Sequence, residues 1–304
     1  MADGASVALA ACSGYDAAVA PVWAALDASG WKPGRGAAIL VKPNLLRAVP
    51  LACTHPAVVA AACAWLLDQG ARVRVADSPG FGTAAGVAQA VGLVDALRPL
   101  GLTVSALGNP VPVPLSRGGH WGVSRLALES DGVLSLPKVK AHAMMRLSLS
   151  VKNLFGCVCG VRKAWAHTRQ GGSPDDFTHA LLDVYKALPP VTALADGVIA
   201  MHVTGPSGGQ PFPLGLVAAS GSAPALDAAL GALLGARPSD VPLWAEMLRQ
   251  GLPGTDSLVY PLEPPGNFHA TGFILPAALD DISFRPHRLA LSLIRRVIRA
   301  CRGA

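Results

Sequence analysis

The chain has 304 residues, 51% of them apolar and 14% charged, with a net charge of +6. Charge is scarce against the usual quarter and apolar residues are plentiful, which excludes a disordered scaffold and leaves room for one large domain or two lobes. Aromatics are 5%, too few for stacking single-stranded nucleic acid. Much of the basic excess lies in Arg285, Arg288, Arg295, Arg296, Arg299 and Arg302, so no nucleic-acid partner is expected.

The start, "MADGASVALAACSGYD", has an acid where a signal peptide carries its basic region. No uncharged apolar run reaches the roughly 18 residues of a membrane span, so a cytoplasmic location is expected. Six cysteines, Cys12, Cys53, Cys63, Cys157, Cys159 and Cys301, include no Cys-x-x-Cys pair. The chain therefore has neither a zinc ribbon nor an iron–sulfur cluster motif, and reduced thiols are expected.

"GAAILVKPNLL" predicts a buried strand, Ala37 to Val41, that ends at Lys42 and Pro43. "HPAVVAAACAWLLDQG" places Val58, Val59, Cys63, Leu66 and Leu67 at helical spacing and stops at Gly70. "ARVRVADSPG" is the next strand, which completes a parallel βαβ unit. "VAQAVGLVDALRPLG" predicts a helix and "LTVSAL" a strand; "DGVLSLPKVKAH" holds a short strand that ends at Pro137. "FTHALLDVYKAL" is a helix, "VTALADGVIAM" and "LGLVAAS" are strands, and "APALDAALGALLG" is a helix. The fold expected is three-layer α/β, a mainly parallel sheet with helices on both faces. Its body spans 1–280, with lobes of about 1–125 and 126–280. Residues 281–304 predict a basic amphipathic helix with Leu289, Leu293, Val297 and Cys301 in a stripe. It either docks on the body, meets a membrane surface, or forms a homo-oligomer contact.

Polar clusters fall where strands are expected to end: Lys42 with Asn44, Asp77 with Ser78, Lys138 with Lys140 and His142, and Asp196 with Gly197. Ligands of parallel α/β sheets bind beyond those carboxyl ends. Taken singly, each cluster has a plainer reading, a snorkelling lysine or an Asx turn. The richest stretch is "PKVKAHAMMRLSLSVKNLFG". Lys138, Lys140 and His142 alternate, so a strand aims them to one side. Beyond Met145, apolar residues alternate with Arg146, Ser148, Ser150 and Lys152, which fits an extended chain; a short helix competes. Such a face is either a solvated edge or an anion pocket.

The pocket reading makes His142, Arg146, Lys152 and Asn153 one wall. Lys152 anchors charge or forms a covalent adduct, and His142 is the acid/base. Lys42, Lys138 and Lys140 hold an anionic small molecule or cofactor. Asp77 and Asp196 orient these groups, and Asn44, Ser78 and Asn153 line the site. Cys157 and Cys159 read as core filler, or as reactive thiols if Lys152, Arg162 and Lys163 stabilise a thiolate.

The ordered series "VKPNLL", "THP", "ADSPG", "LPKVKAH", "VKNLFG", "ADGVIAM", "TGPSGGQP" and "LDAALGALLG" resembles the family called domain of unknown function 362, over roughly residues 37 to 250. Many members of that family carry a ferredoxin-like module. The resemblance thus implies an alternative role, a non-enzymatic redox-accessory or cofactor-binding protein working with a separate iron–sulfur partner. Departures from the family pattern include Met201–Thr204, Ala223 ahead of Pro224, and Cys159. A more distant likeness is to the N-terminal domain of nickel-pincer lactate racemases, where a histidine and a cofactor-bearing lysine have the spacing of His142 and Lys152. That likeness implies shared architecture; no metal-ligand set is legible here.

Overall fold

In the computed structural model, which describes residues 4–159, 174–255 and 257–279, one ten-stranded sheet organises the chain. Its strands are β1 (Ala8–Ala11), β2 (Ala38–Pro43), β3 (Arg72–Asp77), β4 (Val104–Ala106), β5 (Gly132–Leu136), β6 (Lys138–His142), β7 (Arg146–Ser148), β8 (Val191–His202), β9 (Gln210–Phe212) and β10 (Leu216–Ser220). Strands β4, β3, β2, β5 and β8 lie side by side and parallel. Antiparallel β10 and then β1 continue beyond β8, and the β6–β7 hairpin flanks its carboxyl half.

Alternation along the strands feeds two cores, one on each face. Ile39 and Val41 of β2 and Leu134 and Leu136 of β5 pack with α1 (Val19–Asp27), α2 (Pro56–Asp68), α3 (Ala84–Ala90) and α4 (Leu93–Leu97). Leu40 and Val133 face the opposite core. That core is closed by α5 (Arg125–Leu128), α6 (Ser150–Asn153), α7 (Pro174–Ala187), α8 (Ala223–Leu233) and α9 (Pro242–Arg249). The three-layer α/β fold with a mainly parallel sheet is as the sequence indicates. Strands from both 1–125 and 126–280 join this one sheet, with β2 paired directly to β5.

Several local expectations shift. The segment after Gly82 forms two helices, because Gly92 adopts a left-handed φ of 81° between them. The strand before Pro137 does end there, since proline has no N–H for the ladder, yet the chain resumes at once as β6. Asp196 and Gly197 are not at a strand end. They lie within β8, where its partner changes from β5 to β6 and the register shifts. The extended reading holds for Arg146–Ser148, and the helical one for Ser150–Asn153. The hairpin Pro110–Pro114 with His120–Ser124, strand β1 and helix α9 carried no reading from sequence. Residues 281–304, Arg162, Lys163 and His167 lie outside the described residues.

Candidate functional site

Lys42 leaves β2 at its carboxyl end and is fully buried. Its ammonium lies 2.8 Å from Asp77 Oδ1, 3.0 Å from Asn153 Oδ1 and 3.1 Å from the Pro43 carbonyl, so all three donors are matched. Asp77 Oδ2 accepts from Leu45 N at 2.7 Å, and Oδ1 also accepts from Ser78 N at 2.8 Å. Asn153 donates back to Lys42 O and to Ser135 Oγ, 3.1 Å each. Gly156 packs directly on this pair: a Cβ there would fall 2.3 Å from both Asp77 Oδ1 and Lys42 Nζ.

Lys138 is the anchor of a second cluster. Its ammonium donates to Asp196 Oδ2 at 3.0 Å and to Tyr15 Oη at 2.6 Å, while Tyr15 donates to Asp196 Oδ1 at 3.1 Å. Asp196 Oδ2 also accepts from His55 N at 2.8 Å. The Tyr15 and His55 rings stack at 3.5 Å between centroids and 9° between planes. His55 Nδ1 accepts from Ala57 N at 3.2 Å, which puts the proton of the neutral ring on Nε2. Burial holds His55 below the usual imidazole range, and burial with the Asp196 charge holds Tyr15 well above the usual phenol range.

Lys140 differs from both. It is 1% exposed, yet among the described residues its ammonium meets only two carbonyl oxygens, Asn44 Oδ1 at 2.5 Å and Ala52 O at 2.9 Å. Burial lowers it to about 7; the Lys138 and Lys42 charges add to that, while Cys53 and Asp77 act against it. Asn44 is held by a reciprocal pair, its N–H on Thr54 Oγ1 at 2.8 Å and its carbonyl taking Thr54 N at 3.0 Å.

His142 ends β6 and is buried, with Nδ1 accepting from Met144 N at 3.2 Å. Gly205 packs against the preceding residue, since a Cβ there would fall 1.9 Å from Ala141 O. Lys152, on α6, sits over the rings of Phe155 and Phe177 at 5.1 and 5.2 Å. The four residues of α6 are pinned by Asp227 of α8, whose oxygens accept from Ser150 N at 2.6 Å and Val151 N at 3.0 Å. Burial raises Asp227 to about 7 against these hydrogen bonds.

The structure therefore joins Lys42, Asp77 and Asn153; Lys138 and Asp196; and Lys140 and Asn44. Ser78 enters through its backbone. Arg146 turns away: its guanidinium holds the Asp240 carbonyl at 2.7 Å and the carbonyls of Pro276 and Ala277. Tyr15, Thr54, His55, Ser135 and Asp227 were missed as site residues. Thr54 and His55 lie in "THP", Ser135 in "DGVLSLPKVKAH" and Asp227 in "LDAALGALLG", while Tyr15 carries no local signal. Cys53, Cys157 and Cys159 are buried. Among the described residues, no three His, Cys, Asp or Glu side chains gather to hold a metal ion.

Three comparisons bear on this geometry. The family model described as Domain of unknown function (DUF362) matches residues 39–231. Thylakoid-associated protein sll1697 of Synechocystis sp. is 35% identical over 269 residues, covering 87% of this chain and 83% of that protein. Lactate racemase apoprotein from Thermoanaerobacterium thermosaccharolyticum aligns over 71% of this chain at 14% identity with a TM-score of 0.47. A Thermotoga maritima protein aligns over 62% at 13% identity with a TM-score of 0.40. This chain spans about half of those two chains, 54% and 52%.

Proposed function

The chain belongs to the DUF362 family, and from that premise we propose that it binds an anionic small molecule or cofactor where β2 and β6 present Lys140, Asn44 and His142. One observation carries the reading. Three buried lysines converge; Lys42 and Lys138 each have a carboxylate, and among the described residues Lys140 has only neutral oxygens. A buried amine kept without a counter-charge costs stability, and an arriving anion supplies that charge. In this reading the Lys42–Asp77–Asn153 and Lys138–Asp196–Tyr15 groups hold the walls. His142, two residues along the same strand face, is the acid/base, and Lys152 anchors charge or forms an adduct from α6.

Native mass spectrometry of the purified protein, followed by calorimetric titration of the species found, tests this. Lys140→Met should weaken binding by about 2–4 kcal/mol, the scale of losing one partner of a buried charged hydrogen bond. Unchanged affinity in that variant would exclude the reading. A visible absorption band in the purified protein would favour the redox-accessory role with an iron–sulfur partner.

The location belongs to the same proposal: cytoplasmic, with a peripheral membrane contact through 281–304. No described helix is long and apolar enough to cross a membrane. The name of the Synechocystis relative, thylakoid-associated, supports the surface contact.

A further inference from the structure

The amino ends of the strands carry a charged feature of their own. A cleft of about 370 Å³ opens between the starts of β2 and β3 and helix α5. Its walls include Ile39, Arg72, Arg74, Arg125 and Leu126. In β3, Val75 packs in the core under α2 and Ala76 in the opposite core. Arg72 and Arg74 alternate with Val73 and Val75, so both guanidinium groups share the face of Ala76. Parallel strands are ordinarily apolar on both faces. Here two arginines occupy positions that an apolar residue would fill if helices covered them.

The three guanidinium groups are unequally engaged. Arg72 Nε donates to Gly36 O at 2.9 Å, which fixes the group and leaves its terminal nitrogens open among the described residues. Arg74 has no hydrogen bond or ion pair among the described residues. Arg125 meets Glu129 at 2.9 Å, and its backbone N–H is held by Asn109 O at 3.1 Å. The other nearby carboxylate, Asp131, accepts from Ala38 N at 2.7 Å. Positive charge exceeds negative, and Ala38, which pairs with Arg72 on the same face, gives an apolar floor with Leu126.

We propose that this cleft is a second binding site, for a small organic anion that bears a phosphate ester. The oxyanion is held between Arg72 and Arg74, whose planar forks match phosphate oxygens, and the organic part lies on Ala38 and Leu126. The site is separate from Lys140, which lies toward the opposite ends of the strands. A soluble phosphate ester and an anionic phospholipid headgroup present the same chemistry.

The test uses the full chain and Lys140→Met, in which the other site does not contribute. Glycerol 3-phosphate is titrated by calorimetry, and phosphatidylglycerol vesicles are sedimented against phosphatidylcholine vesicles. Arg74→Gln should weaken binding by about tenfold or more, the scale of one lost charge-assisted hydrogen bond. The Arg72→Gln/Arg74→Gln double variant should abolish it, with an unchanged thermal midpoint showing that it folds. Loss of glycerol 3-phosphate binding assigns a soluble ester, and loss of vesicle binding alone assigns the headgroup. If neither probe binds, or the double variant binds both as well as the parent, the proposal is overturned.

Discussion

Gly156 and Lys42 approach so closely that a Cβ on the glycine would lie 2.3 Å from the lysine ammonium and 2.4 Å from its Cε. A buried ion pair is worth keeping only in good geometry, because both charges have given up water. The glycine lets α6 and the turn after it close over the pair. Gly156→Ala should therefore push Lys42 off Asp77 and destabilise the protein by about 3 kcal/mol or more, as breaking a buried pair does. Urea melts measure this, and a loss within about 0.5 kcal/mol, the ordinary range for a surface change, would show that the turn simply moves aside.

Lys140→Met is expected to act in the opposite sense. The lysine's ordinary value is 10.5 and its folded value is about 7. Below about 7 both folded and unfolded chains carry the proton; between about 7 and 10.5 only the unfolded chain does. The wild-type protein thus gains stability as pH rises through that window, by up to about 4–5 kcal/mol at 1.36 kcal/mol per unit. Lys140→Met removes this slope. At pH 7 it should be more stable than wild type by about 1–3 kcal/mol, once the unsatisfied oxygens of Asn44 and Ala52 are counted. Melts at several pH values decide it; parallel profiles for the two proteins would mean that Lys140 is charged throughout.

If an anion binds beside Lys140, it restores the lysine's proton. Binding near pH 8 should take up close to one proton in wild type and none in Lys140→Met. Calorimetry in two buffers of different ionisation enthalpy reads this number directly. Equal uptake in both proteins would move the titrating group elsewhere, with His142 the first to examine.

Lys152→Met should weaken ligand affinity by about 2–4 kcal/mol. Its contacts with Phe155 and Phe177, at 5.1 and 5.2 Å, are worth about 0.5–2 kcal/mol together in the folded protein. If Lys152 serves the ligand rather than the fold, the empty variant loses little stability. A loss of several kcal/mol with unaltered affinity would make Lys152 a structural residue.

Asp227 positions α6 through two backbone N–H groups. Asp227→Ala should cost about 3 kcal/mol, the scale of buried hydrogen bonds to a carboxylate. It should also free Asn153 from Lys42, which a changed side-chain amide resonance of Asn153 in NMR would report. Such a shift without loss of stability, or the reverse, would separate positioning from simple packing.

The layers and the strand-end lysines were legible because they rest on local signals: alternation, helical spacing, and glycine or proline stops. Lys42, Asp77 and Lys138 follow apolar runs, so their place at one end of the sheet follows from the strands. What was hidden depends on distant partners. Tyr15 reaches Lys138 across 123 positions, and nothing near Tyr15 marks it. Arg146 looked like a pocket residue because it alternates with Met145 and Leu147. Its left-handed φ of 60° turns the chain there, and its guanidinium goes to backbone carbonyls of the segment near Pro276. Asp196 reads as a strand end only until β8 is seen to run on to His202.

Strand β8 keeps company with β5 along its first half and β6 along its second, so one stretch of backbone sets two registers. Because side chains alternate, inserting or deleting a single residue before Asp196 would turn its carboxylate to the other face and away from Lys138 and Tyr15. Across relatives, then, the number of residues between Val191 and Asp196 should be fixed, while sequence drift and gaps gather outside it.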